Sequence, residues 1–209
     1  MNALLAQLRA HAAERADAPV LIGDTRTLSH AQLLTEIEAL AAQLRAQQIG
    51  TLALYADNGI GWIVADLAAI AAGVRCVPLP RFFTDAQLDH ALRDSGADAV
   101  LADDPRMASL RQTAQAEAFA VCGAPWQLLR LAPRRVELPA QTQKITYTSG
   151  TTGDPKGVCL SLDAQLRVAD ALRQASGLGP SDRHLCVLPL SMLLENVAGV
   201  YAALLAGAT

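Results

Sequence analysis

TYTSGTTGDPKGVCLS, residues 146–161, carries an unusual density of polar groups for so short a span. Between positions 148 and 157 it places four hydroxyl side chains (Thr148, Ser149, Thr151, Thr152), three glycines (Gly150, Gly153, Gly157), Pro155 and Lys156. Ile145 and Tyr147 read as the end of a strand, and Val158, Cys159 and Leu160 as the start of another apolar element. Glycines let backbone N–H groups approach an anion closely. Hydroxyls add donors on a short tether, and the lysine adds one mobile positive charge. A charge-assisted hydrogen bond of that kind contributes about 1.5–3 kcal/mol. A solvent-exposed turn that binds nothing uses the same residue types. The density, the lysine and the position after a strand favour a phosphate cradle. From Gly150 the chain reads G-T-T-G-D-P-K-G, against the P-loop pattern G-x-x-x-x-G-K-[ST]. Pro155 stands at the second glycine and offers no N–H. Gly157 replaces the hydroxyl that would hold magnesium, so an ordinary P-loop phosphotransferase is nearly excluded.

Working outward, helix and strand signals alternate. Residues 1–14 read as an amphipathic helix. Residues 19–22 and 27–28 flank Gly23-Asp24, a small hairpin. Ser29 and Gln32 have capping-box spacing ahead of a helix to about Gln47, with Leu33, Ile37, Leu40 and Leu44 on one face. A strand over 51–56 follows, then a helix capped by Asn58 and ended by Gly73, a strand over 75–79, and a helix over 85–94 behind Thr84 and Gln87. Strands are expected at 99–102, 119–122, 144–148 and 184–188. Helices are expected at 105–116, 163–175 and 193–205, and residues 125–139 look irregular. Strands spaced by helices of this length imply an α/β fold, a mostly parallel sheet layered with helices. Its ligand site belongs at the carboxyl ends of the strands. The expected organisation is a first α/β block over 1–124, an irregular connection over 125–143, and a second block over 144–209.

Composition narrows the function. Of 209 residues, 52% are apolar and 18% charged, which suits a globular domain. Net charge is −3 with no basic run, so no nucleic-acid partner is expected. The longest apolar stretch, 60–74, is too short to span a bilayer, and no signal peptide is evident. The four cysteines read as free thiols, and a cytoplasmic protein is expected. The four histidines read as surface or satisfied structural residues, and Asp103-Asp104 as a helix start.

The S-G-T-T-G-x-P-K-G core resembles the phosphate-binding signature of the adenylate-forming family. That family includes acyl- and aryl-CoA synthetases, peptide-synthetase adenylation domains and firefly luciferase. LSHAQLLTEIEALAAQLRAQQIG, from Leu28, looks like the family's early helix, with Leu28 in place of a frequent tyrosine. LALYADNGIGWIVADLAAIAAGVRCVPLP, from Leu52, is similar to its next strand–helix–strand. LPLSMLLENVAGVYAALLAGAT, from Leu188, looks like the segment lining its acyl pocket. The resemblance implies a two-step ligase: a carboxylic acid attacks the α-phosphate of ATP to give an acyl-adenylate and pyrophosphate, and a thiol of coenzyme A or a carrier protein then displaces AMP. It assigns Thr148, Ser149, Gly150, Thr151, Thr152, Gly153 and Lys156 to the nucleotide phosphates, with Lys156 as the catalytic cation. Magnesium is expected with the ATP, and no residue is assigned to a metal.

Met192, Glu195 and Asn196 are expected to bind the acid. Many members of the family have histidine where Met192 stands, and Glu195 matches an acidic position of long-chain acyl-CoA synthetases. The expected substrate is therefore a fatty or other apolar acid. The family's adenine, ribose and magnesium motifs lie further on, and a strand should follow Thr209. The chain is thus expected to be a truncated N-terminal piece, inactive alone, without the C-terminal domain. The alternative is a catalytically inactive nucleotide-binding or interaction module of the same fold.

Overall fold

A computed structural model describes residues 3–107, 116–148 and 154–209. Helix α1 (Ala3–Glu14) leads into the antiparallel hairpin β1 (Pro19–Ile22) and β2 (Thr27–Ser29). Helix α2 (His30–Ala46) begins with the expected capping box. The Ser29 hydroxyl accepts the Gln32 amide at 3.3 Å, and the Gln32 side chain accepts the Ser29 amide at 2.9 Å. Then come β3 (Thr51–Tyr55), α3 (Ile60–Ala72), β4 (Arg75–Pro78), α4 (Asp85–Asp94) and β5 (Ala99–Ala102). The Thr84–Gln87 capping box also forms. Strands β6 (Ala116–Val121), β7 (Ala124–Arg130), β8 (Thr142–Thr148) and β9 (Lys156–Ser161) precede α5 (Leu162–Ser176). The chain ends in a π-helix (Leu194–Tyr201) that continues as α6 (Ala202–Ala206).

Seven strands form one sheet in the order β6-β7-β5-β3-β4-β8-β9. Its centre, β5-β3-β4-β8, is parallel, and its flanks are antiparallel hairpins. Alternate residues of the central strands face opposite layers. Leu52, Leu54, Ala99 and Leu101 pack with α2 and α3. Ala53, Tyr55, Val100 and Ala102 pack with Leu88, Ala91 and Leu92 of α4. Both faces are covered, so β3 is buried at every position and reads as a continuous apolar run. Strand β8 bonds to β4 through the pair Cys76↔Lys144, so the blocks expected at 1–124 and 144–209 share this sheet.

Several expectations change. The region expected to be irregular begins with β7, which pairs with β6 across the turn Cys122-Gly123. Both turn residues have positive φ, 53° and 76°, the conformation of a tight two-residue hairpin. The short strand expected over 119–122 is thus the end of a six-residue hairpin arm. The strand expected over 184–188 does not form. Those residues form no strand, with Leu185 and Val187 exposed; at their start Thr209 donates to the Asp182 carbonyl and accepts from the His184 amide. The helix expected over 193–205 is π-helical for its first eight residues. Most of the helix expected over 105–116 lies outside the described residues. No helix among the described residues is long and apolar enough to cross a membrane.

Candidate functional site

The shoulders of the quoted loop sit at the carboxyl end of β8. Thr148 and Lys156 pair across β8 and β9, and both are exposed. Ser149, Gly150, Thr151, Thr152 and Gly153, the remaining expected phosphate ligands, lie outside the described residues. Helix α4 braces the base of the loop. His90 Nε2 donates to the Pro155 carbonyl at 2.9 Å, so this histidine is satisfied structurally, as expected. The Tyr147 hydroxyl lies 2.7 Å from the Asp94 carboxylate and 3.1 Å from the Ala91 carbonyl. Burial, and then the Asp94 bond, push that phenol well above the usual tyrosine range. A Cβ at Gly157 would stand 3.2 Å from the side chains of Asp94, Ile145 and Tyr147, a tight fit that a larger residue could take only if these neighbours shifted. Among the described residues, no carboxylate forms an ion pair with Lys156. Among the described residues neither the ammonium nor the Thr148 hydroxyl has a side-chain hydrogen-bond partner, so both can meet an anion at the sheet edge where parallel folds place ligands.

Nearby carboxylates are already engaged. Arg81 bridges Asp57 at 3.3 Å and Asp103 and Asp104 at 2.9 Å each, at the carboxyl ends of β3, β4 and β5. Asp104 also accepts the Arg106 amide at 2.8 Å, the role expected of a helix start.

The three residues expected at the acid pocket divide. Met192 is 43% exposed, beside Leu193 and Leu194, which are also exposed. Glu195 and Asn196 are buried and point elsewhere. Glu195 Oε1 meets His184 Nε2 at 2.6 Å, and Oε2 accepts the Leu188 amide at 3.0 Å. Burial raises the Glu195 pKa, but the hydrogen bonds from His184, Leu188 and the Cys186 thiol outweigh it and hold the carboxyl below the ordinary glutamate value. Burial, and then the Glu195 bond, push the Cys186 thiol up to about 12. A Cβ at Gly199 would fall 2.5 Å from His184 Nε2 and 2.6 Å from Glu195 Oε1, so the bare backbone there makes room for the pair.

Asn196 belongs to a buried network that the sequence did not announce. Lys144 is fully buried, and its ammonium contacts Asp66 at 2.8 Å. It also donates to the Tyr201 hydroxyl at 2.9 Å and to the Asn196 carbonyl oxygen. Asp66 accepts in turn from Asn196 at 3.0 Å and from Tyr201 at 2.5 Å. The network ties β8, α3 and the π-helix together behind the loop.

Asn58, expected to cap α3, does something else. Gly59 is the N-cap, without a side-chain bond. The Asn58 amide donates to the Leu188 carbonyl and accepts the Leu190 amide, both at 2.8 Å. A side-chain amide has the same donor and acceptor pair as a strand rung, and here it anchors the segment before the π-helix to α3. The arrangement around β8 can thus hold an anion at the loop. The 184–201 segment can support a ligand beside it.

Similarity to known proteins agrees with this geometry. A family model described as AMP-binding enzyme matches residues 8–209. Phenyloxazoline synthase MbtB of Mycobacterium sp. (strain MCS) is 32% identical over 201 residues, covering 94% of this chain and 17% of that protein. Syringomycin synthase SyrB1 of Pseudomonas syringae pv. syringae is 31% identical over 163 residues, covering 75% of this chain and 26% of that protein. The chain therefore spans about a quarter or less of the length of these two relatives. Among solved structures, O-succinylbenzoate coenzyme A synthetase (MenE) from Bacillus subtilis, in complex with ATP and magnesium ion, superposes with a TM-score of 0.76 at 22% identity, covering 97% of this chain and 55% of that one. The fold is that of the N-terminal domain of adenylate-forming enzymes, and the chain belongs to the AMP-binding enzyme family.

Proposed function

We propose that the whole protein carrying this chain activates a carboxylic acid with ATP, forming an acyl-adenylate and pyrophosphate, and passes the acyl group to a thiol. The observation that carries this reading is the exposed Lys156, without an ion-pair partner among the described residues, beside Thr148 at the carboxyl end of β8, on a loop base braced by α4. The Lys156 ammonium would lie against the β- and γ-phosphates and stabilise the charge that builds on departing pyrophosphate, an electrostatic contribution. Thr148, and the intervening loop residues through Gly153, would add donors. Magnesium would arrive on the nucleotide's own phosphate oxygens and supply further charge neutralisation there. No residue of this chain is assigned to it.

The acid itself is proposed more broadly than the sequence suggested. Exposed Met192, Leu193 and Leu194 suit an apolar group. The named relatives are a phenyloxazoline synthase and a syringomycin synthase, and a structural neighbour is an O-succinylbenzoate synthetase. Amino and aryl acids therefore come first in a substrate panel, ahead of fatty acids. Glu195 and Asn196 would act at one remove, by shaping the wall behind Met192. The thiol would be that of coenzyme A or of a carrier protein, distinguished by offering each to the preformed acyl-adenylate. ATP–pyrophosphate exchange across the panel tests the reading. Exchange that depends on one acid class supports it. ATP binding without exchange favours a nucleotide-binding module without chemistry.

A further inference from the structure

We propose that His184, Cys186 and Glu195 form a binding site for a thiophilic divalent cation, with zinc the best fit. The reading is independent of acid activation. His184 and Cys186 are two positions apart on the segment that leads into the π-helix. Glu195, at the start of the π-helix, meets them from the opposite wall. The His184 nitrogen, the Cys186 sulfur and a Glu195 oxygen all lie within 4.8 Å of one another. A tetrahedral zinc ion with bonds of about 2.0–2.3 Å needs its ligand atoms about 3.3–3.8 Å apart. The present spacing reaches that with side-chain shifts of about an ångström, since His184 Nε2 and Glu195 Oε1 need only part from 2.6 Å.

Three features of the protein prepare the cluster. The Leu188 amide fixes Glu195 Oε2 and leaves Oε1 turned to the other two groups. Gly199 keeps the space that any side chain would fill. The π-helical turn that delivers Glu195 is a rare backbone form, frequent at functional sites. His184 and Cys186 also line a cleft of about 370 Å³, bounded by β1, Asn58 and the last helix. Three protein ligands with the fourth position facing a cleft is the arrangement of an open zinc site, where water or a bound ligand completes the shell.

The ligand types choose the ion. A nitrogen, a sulfur and one carboxylate suit zinc and disfavour magnesium, which prefers oxygen ligands in octahedral geometry. Binding would replace the Cys186 proton by a metal–sulfur bond and release that proton to solvent. The neutral His184 ring would carry its one N–H on Nδ1 and ligate through Nε2. Two anionic ligands then cancel the ion's charge, so the half-buried site is left neutral.

Cobalt(II) serves as a coloured substitute for zinc. The chelator-treated 209-residue chain, titrated with cobalt, is expected to take up one equivalent and to show thiolate-to-cobalt charge-transfer absorption with the d–d bands of tetrahedral cobalt. Cys186→Ser should abolish the charge-transfer band. His184→Ala should weaken the ion by about tenfold or more. Equimolar zinc should displace the cobalt, and excess magnesium should not. No thiolate band in the wild-type chain would overturn the proposal. So would an unchanged band in Cys186→Ser, which would assign the ion to another of the four cysteines.

Discussion

Lys144 is a cation with none of its surface in water, and Asp66 is nearly as buried. In the sequence Lys144 looks like the polar position of an alternating strand, and Asp66 like an interruption in an apolar helix. They lie 78 positions apart, so local pattern could not pair them. Removing one partner strands the other charge in the interior. Lys144→Met should cost about 3–5 kcal/mol in urea denaturation, and Lys144→Met with Asp66→Leu should recover much of that. His30 is a second buried polar group the sequence treated as ordinary. Neither ring nitrogen has a hydrogen-bond partner. Burial first, then the charges of Arg15 and His11, lower its pKa from 6.5 to about 4. The folded pKa is below the unfolded one, so this contribution is full above pH 6.5 and is lost as pH falls from 6.5 towards 4. Stability should drop by about 2 kcal/mol between pH 7 and pH 5, and His30→Leu should flatten that portion of the curve. Unfolding titrations at the two pH values measure it.

At the scale of elements, helix starts were the most legible features. Ser29 with Gln32 and Thr84 with Gln87 form their capping boxes because the signal is complete within four residues. The β6–β7 hairpin was missed because its turn, Cys122-Gly123, lacks the usual Asn or Asp. The π-helix was also illegible. Apolar spacing over 193–205 fits an ordinary helix just as well as the wider turn observed. Gly199 is where that geometry is tightest. Gly199→Ala should destabilise the chain by about 1–3 kcal/mol through overpacking against His184 and Glu195. Adding His184→Ala should relieve part of the loss in a double-mutant cycle. Full additivity would show that the two positions do not touch.

For the whole molecule, alternating elements revealed the α/β class, and the loop at 146–161 revealed the family. The antiparallel flanks did not show, because periodicity reports burial and not strand direction. The candidate site was half legible. Thr148 and Lys156 lie exposed at the carboxyl end of β8, since a loop leaving a strand of the parallel centre emerges at the edge where such sheets place ligands. Glu195 and Asn196 were expected to bind the acid, but their side chains are engaged by His184, Lys144 and Asp66, which only the fold brings close. The phosphate role of Lys156 is the centre of the account, and one comparison tests it most directly. ATP–pyrophosphate exchange is measured in the whole protein and in its Lys156→Ala variant, across amino, aryl and fatty acids. The expected result is acid-dependent exchange that the substitution slows by roughly tenfold to a hundredfold, the value of one charge-assisted contact. Exchange with no acid, or exchange untouched by Lys156→Ala, would contradict it.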